Sequence, residues 1–203
     1  MEQILKYIYQ KYDPLSVIIY GSYANRTNNL NSDFDALVIS CNHEQYHDTS
    51  FVNDIQLDVF VYPASYFEGK YACEEFIQIF DGMIITDHED IGKNLQAHVL
   101  SYLQSRPHKT SAEIQANIDW CVKMSKRVKR HDAEGMFRWH WLLIDSLEIF
   151  CDIMQHPYFG PKKALKWMEE THPTAFKIYQ KALTEFRIES LENWVSYIKN
   201  TNR

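Results

Sequence analysis

Asp33, Asp35 and Asp58 are the residues of this chain best placed to do chemistry. Asp33 and Asp35 flank Phe34 at the start of the apolar run Ala36-Leu37-Val38-Ile39. Residues two apart in extended chain point to one side, so the two carboxylates share a face while Phe34 turns into the core. Carboxylates held this close resist ionising together unless a cation or proton stands between them. Asp58 sits inside a second run, Ile55-Gln56-Leu57-Asp58-Val59-Phe60-Val61-Tyr62. A charge among apolar neighbours is costly unless it is paired, binds metal, or faces water from an edge strand. If the two runs lie side by side, three carboxylates meet in a set suited to two Mg²⁺ ions about 3.5 to 4 Å apart.

A third segment, Val17-Ile18-Ile19-Tyr20-Gly21-Ser22, offers a strand that runs into Gly-Ser and then a helix. By itself this is an ordinary turn or helix cap. Opposite a carboxylate cluster it becomes a phosphate cradle: Gly21 permits close approach, and Ser22 and the first helical amides donate to phosphate oxygens.

The elements that must position these groups follow from periodicity. Strands are expected over Ser16 to Tyr20, Phe34 to Ser40, Ile55 to Tyr62 and Met83 to Thr86, each short, apolar and bounded by polar residues. Residues 1 to 12 read as a leading helix that Asp13-Pro14 ends. A helix from Ile91 to Leu103 links this half to a wholly helical remainder. Thr110-Ser111-Ala112-Glu113 has the form of a capping box. Its helix is expected to bury Ile114, Ile118, Cys121, Ser125 and Val128, and the next one Phe137, Trp141, Ile144, Leu147, Cys151 and Met154. The fold class is therefore α+β, with a mixed-sheet domain over 1–90 and a helical bundle over 91–203.

Composition bounds the function. With 27 acidic and 21 basic residues the net charge is −6, which argues against a nucleic-acid-coating surface. Lys123, Lys126, Arg127, Lys129 and Arg130 read as the solvated side of one helix. No apolar run approaches the roughly 20 residues a bilayer needs, so no membrane is expected. Four dispersed cysteines and the polar opening Met1-Glu2-Gln3 fit free thiols in a reducing cytoplasm. His43-Glu44-Gln45-Tyr46-His47 satisfies the zinc-peptidase pattern, but that pattern works only on a buried helix with apolar flanks. Here the flanks are polar and the segment connects two expected strands, so catalytic zinc is not expected.

The conjunction of Gly21-Ser22, about ten intervening residues, Asp33-Phe34-Asp35 and a later Asp58 resembles the polymerase-beta-like nucleotidyltransferase superfamily. Members often carry an Arg soon after Gly-Ser, as Arg26 here, followed by a Gly where this chain has Thr27. The helical half resembles that of small-molecule nucleotidyltransferases, including those that inactivate aminoglycoside and lincosamide antibiotics. Relatives place a Lys near a helix start against the triphosphate, a role the resemblance offers to Lys162 or Lys163. It implies two Mg²⁺ ions, ATP as substrate, and AMP transferred to a hydroxyl of a small acceptor. It further implies Asp33, Asp35 and Asp58 as metal ligands, Asp58 or a helical-half carboxylate (Asp132, Glu134 or Asp145) as base, and is compatible with a homodimer. A rival reading is a protein-modifying enzyme or an antitoxin-type binding partner. A third is a nucleotide binder without catalysis, against which the intact carboxylate trio speaks.

Overall fold

The computed structural model describes residues 1–130 and 132–201. The chain divides into two compact units, Met1–Arg106 and Pro107–Arg203.

The first unit opens with helix α1 (Glu2–Tyr12), whose Ile4, Ile8 and Tyr12 fall on one stripe and are buried. Asp13 adopts a left-handed conformation and returns its amide to the Tyr9 carbonyl, and Pro14 begins strand β1 (Pro14–Ile19). After the short helix α2 (Gly21–Ala24) come β2 (Phe34–Ser40), β3 (Tyr46–Asp48), β4 (Phe51–Val52), β5 (Ile55–Pro63) and β6 (Met83–Asp87). The sheet order is β3-β5-β2-β1-β6, with β4 paired to β5. β1 runs antiparallel to both β2 and β6, while β2 and β5 are parallel, so the sheet is mixed as expected.

Alternation assigns the faces. Val17, Ile19, Phe34, Val38, Leu57 and Val59 pack with the α1 stripe in one core. Helix α3 (Ile91–Ser105) packs against β1 and β6. Asp87, the last residue of β6, holds the start of α3 by accepting from the Gly92 amide at 2.7 Å and the Lys93 amide at 3.1 Å. This is the N-terminal capping that an acidic side chain supplies to orphan helical amides.

The segment expected to be a plain connection after β2 carries two strands, β3 and β4. Asp48 explains the first of them. Its carboxylate is fully buried and accepts from Tyr7 Oη at 3.1 Å, Lys11 Nζ at 3.0 Å, Tyr12 Oη and the Ser50 amide at 3.0 Å. These bonds tie β3 to α1, a long-range contact that residue pattern does not display.

The second unit is helical: α4 (Ser111–Val128), α5 (Ala133–Ile153), α6 (Pro161–Thr171), α7 (Pro173–Thr184) and α8 (Ile188–Thr201). The Thr110–Glu113 capping box forms in both directions. On α4 the buried stripe is Ile114, Ile118, Cys121, Met124 and Val128, with Met124 in the place expected for its neighbour Ser125. The expected face of α5 needs a larger correction. Leu147 and Cys151 are buried, but Phe137 is 67%, Ile144 66% and Trp141 41% exposed. The buried face is built on Trp139, Leu142, Leu143 and Ser146 instead. Two hydrogen bonds select it: Tyr179 Oη donates to the Leu143 carbonyl at 2.7 Å, and Trp194 Nε1 to Ser146 Oγ at 2.9 Å. Apolar residues occur on both sides of α5, so periodicity alone does not distinguish the faces. Among the described residues no helix is long and apolar enough to cross a membrane.

Candidate active site

β1 ends at Ile19, and the backbone turns at Tyr20, whose amide donates to the Asp35 carbonyl at 3.1 Å. Gly21 then opens α2 with φ +68°, a left-handed conformation that glycine adopts without the Cβ penalty. A Cβ there would lie 2.3 Å from Asp35 Oδ2 and 2.9 Å from its Cγ, so the Asp35 carboxylate rests directly on the glycine backbone. Tyr20 gives no side-chain cap to α2, and Ser22, on its first turn, is buried.

Across the sheet Asp35 is in register with Asp58, its partner on the parallel neighbour β5. Register partners in a sheet project to the same face, so the two carboxylates stand side by side. Asp33 lies two residues before Asp35, at the entrance of β2, and is exposed; Phe34 between them is fully buried on the α1 side. The structure therefore brings Gly21, Ser22, Asp35 and Asp58 to one end of the sheet. Tyr20 reports the resulting field. Burial first, then the Asp58 and Asp35 carboxylates, hold its hydroxyl above the usual tyrosine range.

His47 belongs to this site although the sequence does not announce it. Its Nε2 lies 2.6 Å from Asp58 Oδ1. Its ring stacks on Phe60 with centroids 4.1 Å apart and planes 5° from parallel. The zinc-like pattern drew attention to His47 for the wrong chemistry, and the three residues Tyr46-His47-Asp48 are too few for a strand period to stand out. His43, the other histidine of the zinc-like pattern, lies in the loop before β3 and approaches Ser40 Oγ at 3.3 Å and the Tyr12 ring. The helix that would aim both imidazoles at one metal is not formed.

Arg26 follows α2 and is exposed, with φ +55°. Lys162 and Lys163 open α6 in the second unit; Lys162 is exposed, and Lys163 Nζ lies 5.9 Å from the Phe159 ring centre. Of the helical-half carboxylates, Asp132 caps α5 through the Gly135 amide at 2.8 Å and pairs with Arg130. Glu134 pairs with Arg130 at 3.0 Å and with Arg138. Asp145 lines a cleft of about 380 Å³ within the helical unit, beside Trp120, Trp141 and Glu148.

Residues 1–94 match the family model for the nucleotidyltransferase domain. That match supports nucleotidyl transfer as the general activity of the sheet unit. No curated protein matches the chain. A solved structure, a nucleotidyltransferase-like protein from Exiguobacterium sibiricum, is similar at 13% identity and a TM-score of 0.44, over 100% of this chain and 74% of that one.

Among the described residues no three His, Cys, Asp or Glu side chains converge as ligands to one metal ion. The donor chemistry still fits a hard divalent cation. Asp35 and Asp58 offer carboxylate oxygens from one face, Asp33 stands two residues upstream, and Mg²⁺ takes oxygen ligands of this kind.

Proposed function

We propose that this protein transfers AMP from ATP to a hydroxyl of a small acceptor, with aminoglycoside- or lincosamide-type antibiotics the acceptors to test first. The observation that carries this reading is the register of Asp35 with Asp58, beside a Gly21-Ser22 turn on which the Asp35 carboxylate rests.

Asp35 and Asp58, together with phosphate oxygens, would hold Mg²⁺, with Asp33 as a further candidate ligand; the ion when bound neutralises phosphate charge and polarises the α-phosphorus. Ser22 and the first amides of α2 would grip phosphate oxygens, and Arg26 would supply a cationic contact to the triphosphate. The acceptor oxygen bonds to the α-phosphorus as the bond from that phosphorus to the β-phosphate oxygen breaks. Pyrophosphate leaves, and the hydroxyl proton passes to the Asp58 carboxylate or to solvent. Binding and orientation account for most of the protein's work in phosphoryl chemistry of this kind.

The test is pyrophosphate release from each nucleoside triphosphate with Mg²⁺, across a panel of aminoglycosides, lincosamides, nucleosides and candidate proteins. Release with ATP and a small hydroxylated acceptor, abolished in Asp35→Asn, is the expected result. No release with any triphosphate would overturn the proposal, and release only with a protein acceptor would replace its acceptor class.

A further inference from the structure

The geometry points to His47 as a positioning residue: its imidazole donates to Asp58 and holds that carboxylate in the orientation a divalent cation needs. The inference rests on the functional reading above and adds a residue that reading does not contain.

The placement begins with the pleat. His47 on β3 and Phe60 on β5 are register partners in an antiparallel pair. Phe60 follows Asp58 by two residues on its strand, so Asp58, Phe60 and His47 share one face of the sheet. The flat stack of His47 on Phe60 sets the plane of the imidazole, and that plane carries Nε2 to 2.6 Å from Asp58 Oδ1.

The chemistry gives the contact a direction. An ionised carboxylate only accepts, so Nε2 carries the hydrogen and donates. Asp58 is 38% exposed and stands beside the like-charged Asp35, an arrangement in which a short carboxylate side chain is free to rotate away from its neighbour. A donor fixed by a stacked ring removes that freedom at Oδ1 and leaves Oδ2 to face the cation. Hydrogen bonds to ligating carboxylates act in this way, and losing one typically costs about 10- to 100-fold in metal affinity.

Two substitutions separate the two things His47 does. His47→Phe keeps a flat ring on Phe60 and deletes the donor; His47→Gln keeps an amide donor at similar reach and deletes the stacked ring. The probe is Mn²⁺, whose free concentration is read by electron paramagnetic resonance in the presence of α,β-methylene-ATP, with Asp35→Asn as reference. Thermal melting confirms the fold of each variant. His47→Phe is expected to weaken Mn²⁺ binding by at least about 10-fold, and His47→Gln, which keeps a donor without the ring that fixes it, by less. The reverse order, or unchanged affinity in His47→Phe, would overturn the positioning role and leave His47 a packing residue. Wild-type protein that binds Mn²⁺ no better than Asp35→Asn would instead refute the functional reading and the inference with it.

Discussion

Asp48 and Asp58 are carboxylates on neighbouring strands, and they behave in opposite ways. Asp48 is fully buried and surrounded by two tyrosine hydroxyls, an ammonium and a backbone amide. Its oxygens are committed, and its charge is matched by Lys11. Asp58 is 38% exposed, takes a bond from His47, and stands in register with a second acid. The first arrangement leaves a carboxylate nothing to do but hold α1 to β3. The second leaves oxygen lone pairs open and keeps a like charge beside it, an arrangement that a bound cation would relieve. Saturation of its hydrogen bonds, more than position in a strand, separates a structural acid from a chemical one.

Substitutions on the two sides of this comparison should split activity from stability. Asp35→Asn is expected to lower nucleotidyl transfer by about 1,000-fold or more, equivalent to about 4 kcal/mol in the barrier, with the melting temperature little changed. Substantial residual pyrophosphate release in a steady-state assay would break the assignment of the chemical side. Asp48→Ala should do the reverse. It leaves the buried Tyr12 hydroxyl without its acceptor and removes the partner of Lys11, and should cost about 1 to 3 kcal/mol in urea unfolding while the folded fraction keeps its turnover. An unchanged urea midpoint would show that the network contributes nothing.

Gly21→Ala tests the join between the backbone and the site. The left-handed φ carries a strain of about 1 to 3 kcal/mol for a non-glycine residue. The added Cβ also displaces the Asp35 carboxylate, so both urea stability and transfer rate should fall. A stable variant with full activity would mean that Asp35 works equally well elsewhere.

Acid should weaken the structural side before it harms the fold generally. Burial pushes the Asp48 carboxyl up, but hydrogen bonds from Ser50, Tyr12 and Lys11 outweigh it and hold the group well below its ordinary 3.8. A depressed acid contributes stability that is fully present above that ordinary value and is lost as pH falls below about 4. Asp48→Asn should therefore flatten the acid limb of stability measured by urea titration from pH 6 to 3; a limb identical to the wild type would place the proton uptake elsewhere. The smallest effect is expected at Phe137, which is exposed on α5. Phe137→Ser should stay within about 0.5 kcal/mol, and a loss of 2 kcal/mol or more would restore the face that periodicity favoured.

Much of the fold was legible in local pattern. β2 runs over the expected Phe34–Ser40, the Thr110–Glu113 box forms, and Asp13-Pro14 ends α1. These features depend on residues within one turn or one strand of each other, where propensity and side-chain chemistry act directly. The Gly-Ser and Asp-x-Asp spacing likewise marked one end of the sheet. β3 and the buried face of α5 escaped because both depend on distant partners: α1 for Asp48, and α7 and α8 for the α5 stripe.

The sequence by itself determined most of the strands and helices and offered residue types suited to phosphate and cation, because those properties are carried by neighbours along the chain. Only the tertiary structure decided that Asp35 stands beside Asp58, that its carboxylate lies on Gly21, and that His47 reaches Asp58. Those contacts depend on strand order and register, which are set by the packing of the whole sheet.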